Sequence, residues 1–297
     1  MAKRNIGERL KIMEPARHSR TAEIAAFLRA LHRHVDAPPW IFEDAAVESL
    51  LSLPSRHYLR RLDALARSWI AIFRQRRSGL AAMRAQIVVR ARFAEDALAA
   101  HAPRQYLVLA AGLDTYALRH ATADMQVFEL DHPATQAWKR DRIAQLPACL
   151  NFVPVDFEHD TVGAALASTS FDMNLATFVS WLGTTYYLTR AAIAQTLCDV
   201  RERTPAGTRL VLDYWSEAPP VDARGRLLLA STRIATAYEG EPIHSLFAVE
   251  DMCGLVEHCG WRIREHLTPA AQNERYLAAR NDGLAVPSFA YLMELEH

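Results

Sequence analysis

The chain has 297 residues, of which 51% are apolar, enough to bury a sizeable core in one large domain or a domain with a cap. Its 34 basic and 34 acidic residues cancel, so no whole-protein field favours nucleic acid or an anionic membrane as partner. The 4 cysteines show no C-x-x-C spacing, the charged start of the chain is followed by no apolar signal core, and no run approaches the length of a membrane span; a soluble, cytoplasmic protein with reduced thiols is expected.

Residues 1 to about 18 are basic and weakly patterned, as in a solvated tail. A helix is predicted from Ser19-Arg20-Thr21, with Ser19 or Thr21 as N-cap, Glu23 in the first turn and Ile24, Phe27, Leu28 and Leu31 on one face. Ala37-Pro38-Pro39 ends it. Trp40 to Leu53 reads as a second short helix, and from Pro54 to His101 the residues Leu62, Leu65, Trp69 and Phe73 keep a helical period. The arginines of this stretch, Arg56, Arg60, Arg61, Arg67, Arg74, Arg76 and Arg77, alternate with apolar positions and read as the polar face of an amphipathic helix. Arg90 and Arg92 differ, because they lie on the helix leading into the first strand, where one of them can turn toward a site and pair with a carboxylate.

Gln105 to Asp131 is the organising stretch. Tyr106 to Ala110 has the apolar content of a buried strand, and Ala111-Gly112 stops it with side chains too small to keep a ligand from the backbone. Asp131, 19 residues past Gly112, closes the strand Val127-Phe128-Glu129-Leu130, where a carboxylate can accept from both hydroxyls of a ribose. A dinucleotide site would show G-x-G-x-x-G; the same positions hold Ala110, Gly112 and Thr115, which argues against NAD and its pyrophosphate. S-adenosylmethionine needs only one close backbone approach and tolerates one glycine.

Strands and helices then alternate as in a parallel sheet. A helix runs from His132-Pro133 to about Leu146, a strand from Asn151 to Asp156, a helix from Thr161 to Leu166 and a fourth strand from Phe171 to Val179. The helix Thr189 to Arg203 and the strand Gly207 to Tyr214 follow. Residues 215–246 break the rhythm with Pro219-Pro220, a helix holding Leu227, Leu228, Ile234 and Tyr238, and Gly240-Glu241-Pro242; such an excursion reads as a lid over the strand ends. The helix Val249 to Cys259, the strand Trp261 to His266, a loop and the strand Ser288 to Glu296 complete an α/β chain. The expected organisation is a helical cap over 1–100, a nucleotide-binding core over 101–214, the lid over 215–246 and the rest of the core over 247–297.

The segments QYLVLAAGLDTYALR, VFELDHP, FVPVDFE and SWLGTTYYLT, preceded by SRTA and RARFAED, resemble the leucine carboxyl methyltransferase family over nearly the whole chain. The resemblance implies a doubly wound, Rossmann-like sheet of seven strands, the last antiparallel, and S-adenosyl-L-methionine as cofactor. It assigns the methionine carboxylate to Arg92 with Arg20 as a second, and the methionine part to Ala111, Gly112 and Asp114. The ribose falls to Asp131, the adenine to Asp156 and Phe157, and the neighbourhood of the sulfonium to Ser180. Two positions depart from the family pattern: Ala110 stands where a glycine is usual, and Tyr116 where many members have arginine.

Methyl transfer is an in-line displacement, so alignment and water exclusion are the enzyme's main tasks and no metal is required. A carboxylate acceptor is ionised at neutral pH, with a pKa of about 4, and needs no base, whereas a phenol at about 10 usually wants one. No His-Asp dyad stands in the motif regions, which favours carboxyl methylation mildly, with His244 or His132 as the available bases. Aromatic residues at the strand ends can stack on a flat acceptor. The catalytic candidates are therefore Tyr186, Tyr187 and Tyr214, and the substrate candidates Trp181, Trp215, Arg233 and Tyr238. The expected protein is an O-methyltransferase of a small-molecule carboxylate or hydroxyl, monomeric or homodimeric. A methyltransferase of protein C-termini, an NAD(P)-dependent oxidoreductase and a non-catalytic cofactor-binding module remain as alternatives.

Overall fold

A computed structural model describes residues 18–61, 78–120, 124–217 and 221–297. The basic tail before residue 18 and the period set by Leu62, Leu65, Trp69 and Phe73 lie outside the described residues, as does Pro219-Pro220. Strands β1 (Gln105–Leu109), β2 (Gln126–Asp131), β3 (Leu150–Pro154), β4 (Thr177–Trp181), β5 (Arg209–Trp215), β6 (Arg262–Leu267) and β7 (Ala290–Glu296) form one sheet in the order β3-β2-β1-β4-β5-β7-β6. The first five are parallel, and β7 runs antiparallel between β5 and β6. The order reverses between β1 and β4, which opens a crevice at their carboxyl ends.

Every residue of β1 and β4 is buried, because helices cover both faces of the sheet. Alternation sends Leu107, Leu109, Phe128, Leu130, Val179 and Trp181 to one core, and Tyr106, Val108, Val127 and Phe178 to the other, against Val88, Val89 and Phe93 of the helix Gly79–His101. Each such buried side chain contributes about 1.5–3 kcal/mol relative to exposure. The helix Arg20–Val35 joins this body through Leu28, Leu31 and Val35, packed in one cluster with Leu50, Ile87 and Leu113. Ser19 caps that helix as its position suggests, its Oγ accepting from Ala22 N at 3.0 Å.

Several boundaries differ from the sequence pattern for tertiary reasons. Within Trp40 to Leu53 a helix covers Val47–Leu50, and the next helical run begins only at Leu53. Asp44 turns inward and is fully buried, accepting from Val47 N at 3.1 Å and Thr115 Oγ1 at 2.7 Å and pairing with Arg29 Nε at 3.1 Å. Strand β4 begins at Thr177 instead of Phe171 because Gln105 holds the backbone of Asp172, its side chain donating to the carbonyl at 2.7 Å and accepting from the N–H at 2.9 Å. The helix after Asp131 covers only Pro133–Arg140. The segment read as a loop before β7 contains the helix Pro269–Leu277, capped by Thr268 with proline in its first turn. No helix among the described residues is long and apolar enough to cross a membrane.

Candidate active site

A cavity of about 1110 Å³ lies over the carboxyl ends of the central strands, walled by the first helix, the Gly79–His101 helix, the strand-end turns and the lid. Its floor is the turn after β1. Ala110 sits at φ +50° and Gly112 at φ +53°, a region glycine adopts freely and alanine only with strain. A Cβ at Gly112 would approach the Ala22 methyl to 3.2 Å, so this backbone stays bare on the side where the first helix closes over it. Asp114 turns back on the same loop, its Oδ1 accepting from Tyr116 N at 2.7 Å.

Asp131 at the end of β2 is pinned by two backbone donors, Gly112 N to Oδ2 at 2.5 Å and His132 N to Oδ1 at 2.7 Å. A carboxylate has about four lone-pair positions, so the two oxygens keep acceptor capacity for a diol. Burial pushes this carboxyl above its usual range, against the pull of the two N–H groups. Further along the edge, burial would raise Asp156, but the Glu158 N–H and the His159 ring outweigh it and hold the carboxyl below its ordinary value. Phe157 presents its ring beside Trp181, centroids 6.5 Å apart.

Of the two arginines on the helix before β1, Arg90 lines the cavity and Arg92 does not. Residues two apart on a helix point about 200° from each other; Arg92 is half exposed and pairs with Asp96 at 2.7 Å. Arg90 Nη1 donates to Tyr186 Oη at 3.1 Å and Asp213 Oδ2 at 3.0 Å. Arg20 also leaves the cavity wall, its side chain reaching Glu239 at 3.3 Å. Ser180 lines the cavity and bonds Tyr106 Oη at 2.7 Å.

Of the aromatic candidates, Tyr186, Tyr187 and Trp215 line the cavity; Tyr186 stacks on Trp215 with centroids 3.9 Å apart. Burial pushes both tyrosine hydroxyls above the usual phenol range. Tyr214 and Trp181 do not reach the cavity. Strand alternation sends them to the opposite face of the sheet, where both are fully buried and Tyr214 Oη bonds His266 Nε2 at 2.9 Å. On the lid helix Ala223–Tyr238 the inward face is Leu228, Ser231, Thr232 and Ala235. Arg233 and Tyr238 point away; Arg233 pairs loosely with Glu217 at 3.8 Å and Tyr238 is 89% exposed.

The sequence reading passed over three groups. Asp213, a lone acid inside the apolar run Leu210–Trp215, was legible as an anomaly, since a buried charge needs a partner. Thr21 and Glu241 carried no such signal. Glu241 Oε1 accepts from Arg20 N at 2.9 Å and Oε2 from Ser19 Oγ at 3.1 Å, with Thr21 Oγ1 also donating to Oε2. The end of the lid is thereby clasped to the first turn of the first helix, a favourable seat for a carboxylate.

A profile of the leucine carboxyl methyltransferase family matches residues 22–201. The chain belongs to that family. As a leucine carboxyl methyltransferase family member it is a methyltransferase dependent on S-adenosyl-L-methionine. Among its relatives is YktD of Bacillus subtilis, named as an S-adenosyl-L-methionine-dependent methyltransferase, which is 31% identical over 292 residues covering 90% of this chain and 94% of YktD. A methyltransferase-named protein of Mycobacterium avium is 30% identical over 60% of this chain and 62% of its own length. In fold the protein is similar to a crystal structure titled as a methyltransferase of Thermobifida fusca, with TM-score 0.55 and 11% identity over 92% and 94% of the two chains. A DUF574 family protein of Streptomyces avermitilis gives TM-score 0.54 and 14% identity over 91% and 96%. The cofactor fits the cavity's own features: a bare turn at Gly112 for close approach, a pinned carboxylate at Asp131, and a guanidinium at Arg90.

Proposed function

We propose that this methyltransferase acts on oxygen, transferring a methyl group to a carboxylate or hydroxyl of an apolar small molecule. The observation that carries the reading is the clasped lid: Glu241 ties the lid to Ser19, Arg20 and Thr21 across the cavity, which favours an enclosed metabolite over the tail of a folded protein. The walls contributed by Ile24, Met83, Ile87, Tyr187, Trp215 and Leu228 are apolar and aromatic, suited to a flat acceptor body. Among the described lining residues the two arginines already face acids, Arg29 with Asp44 at 3.1 Å and Arg90 with Asp213 at 3.0 Å. The acceptor is thus expected to carry its charge only at the reacting end.

In this reading Arg90 holds the carboxylate of the cofactor, Asp131 its ribose and Asp156 with Phe157 its adenine, while Gly112 and Ser180 flank the methionine part. S-adenosyl-L-methionine supplies a methyl carbon already activated by its sulfonium. The protein aligns the acceptor and excludes water. A carboxylate acceptor, ionised above a pKa of about 4, asks for no proton transfer, which agrees with Tyr186 and Tyr187 being held in their neutral form by burial. These tyrosines then act as hydrogen-bond donors and stacking walls.

The test is methyl transfer from label-bearing S-adenosylmethionine to a panel of apolar aryl and alkyl carboxylic acids, the matching phenols, and a leucine-terminated peptide. Transfer to a free acid, with label released as methanol by mild alkali, supports the carboxyl reading; alkali-stable label on a phenol places the reaction on hydroxyl. Transfer to the peptide alone refutes the small-molecule reading.

A further inference from the structure

We infer that Asp213 is a positioning residue that aims Arg90 at the carboxylate of the cofactor, an inference that rests on the role given to Arg90 above. Asp213 is 1% exposed near the end of β5 and makes three different connections. Its Oδ2 accepts from Arg90 Nη1 at 3.0 Å, its Oδ1 accepts from Gly183 N at 2.5 Å, and its backbone oxygen accepts from Thr185 Oγ1 at 2.7 Å. One aspartate therefore couples the guanidinium to the turn after β4 that carries Leu182, Tyr186 and Tyr187 into the cavity.

The guanidinium has little freedom to sit elsewhere. Gly183, at φ +79°, lies against it so closely that a Cβ there would meet Arg90 Nη2 at 2.5 Å and Cζ at 3.0 Å. Nη1 is committed to Asp213 and Tyr186. An arginine presents five N–H donors in a rigid plane, so fixing Nη1 fixes the direction of the Nε and Nη2 edge as well. That remaining edge has the fork geometry that takes a carboxylate through two parallel bonds. Asp213 also helps keep the charge balanced: burial works against a protonated Arg90, and Asp213 together with Tyr186 more than offsets it. The apposition of a buried acid, a bare glycine and one guanidinium makes the site selective for the amino-acid end of the cofactor and indifferent to the nucleoside end.

That selectivity separates positioning from general structural support. S-adenosylhomocysteine carries the amino-acid carboxylate, and 5′-methylthioadenosine shares its adenine, ribose and sulfur but lacks the carboxylate. Calorimetric affinities for both ligands are measured on the full-length protein and on Asp213→Asn and Arg90→Met. Asp213→Asn is expected to weaken S-adenosylhomocysteine about tenfold or more, as for loss of a charge-assisted contact, and to leave methylthioadenosine within about twofold of wild type. Equal loss for both ligands, or no loss for either, overturns the inference. If Arg90→Met shows the selective loss and Asp213→Asn does not, the role of Arg90 stands and that of Asp213 falls; if neither shows it, both fall. Should Asp213→Asn fail to fold, Asp213→Glu, which keeps the charge but moves the carboxylate by one methylene, carries the same expectation.

Discussion

Replacing Asp131 by alanine removes the group on which the nucleoside end of the proposed site depends. In the structure its two oxygens accept from Gly112 N at 2.5 Å and His132 N at 2.7 Å, and these bonds hold the carboxylate at the lip of the cavity with acceptor capacity unused. Two hydroxyl bonds to an ionised acceptor, less the cost of drying the group, make the expected loss roughly 1–3 kcal/mol, or about 5- to 150-fold in Kd. Isothermal titration with S-adenosylhomocysteine reads this directly, and methylthioadenosine should lose as much, since it carries the same ribose. The truncation also leaves the Gly112 and His132 N–H groups without their acceptor, so the turn loosens; Asp131→Asn, which retains one carbonyl oxygen for Gly112 N, should bind with intermediate affinity. Wild-type affinity in Asp131→Ala, with or without a fall in melting temperature, would refute the assignment of Asp131 to the ribose.

Arg92→Ala should leave S-adenosylhomocysteine affinity within about twofold of wild type, since an exposed ion pair is worth at most about 1 kcal/mol; a loss matching that of Arg90→Met counts against the placement of Arg90. Ala110→Gly relieves a left-handed alanine that costs about 1–2 kcal/mol at an entropic cost of about 0.5–1 kcal/mol, so urea denaturation should show a net change between neutral and a stabilisation of about 1.5 kcal/mol; destabilisation contradicts the strain. Glu241→Ala unclasps the lid, and both proteolytic cleavage within residues 223–242 and S-adenosylhomocysteine dissociation should speed up several-fold; unchanged rates argue against a clasp. His266 is buried, which holds its ring below the ordinary 6.5. A depressed histidine favours the folded state above that value and forfeits the contribution as pH falls through it. Between pH 7 and 5, wild type should therefore lose more stability than His266→Asn, and equal losses would show that the ring is not desolvated.

The strands, the bare turn after β1 and the acid at the tip of β2 follow from local sequence. Apolar runs of strand length, a glycine at a forced turn and an acid 19 residues beyond it leave few alternatives once helices and strands alternate. The inward ends of the lid and of the first helix were harder. Nothing near Glu241 or Ser19 announces the other, because the contact joins positions more than 200 residues apart and each residue is a common type in a common setting.

Side-chain direction was the other limit. Sequence placed an arginine on the helix before β1 and aromatics at the ends of β4 and β5 but could not say which member of each set faced the cavity. The answer depends on phase, and phase is set by packing: the helix turns Arg90 inward because the neighbouring face carries Val88, Val89 and Phe93 to the sheet, and β5 turns Asp213 and Trp215 inward because Tyr214 belongs to the opposite core. By itself the sequence determined the fold, the family and the place of an acid at the tip of β2, since these rest on short-range pattern. Only the tertiary structure decided between Arg90 and Arg92, between Trp215 and Tyr214, and where the lid is fastened, because a rotation of one residue on a helix or strand reverses which side chain reaches the site while leaving composition and spacing unchanged.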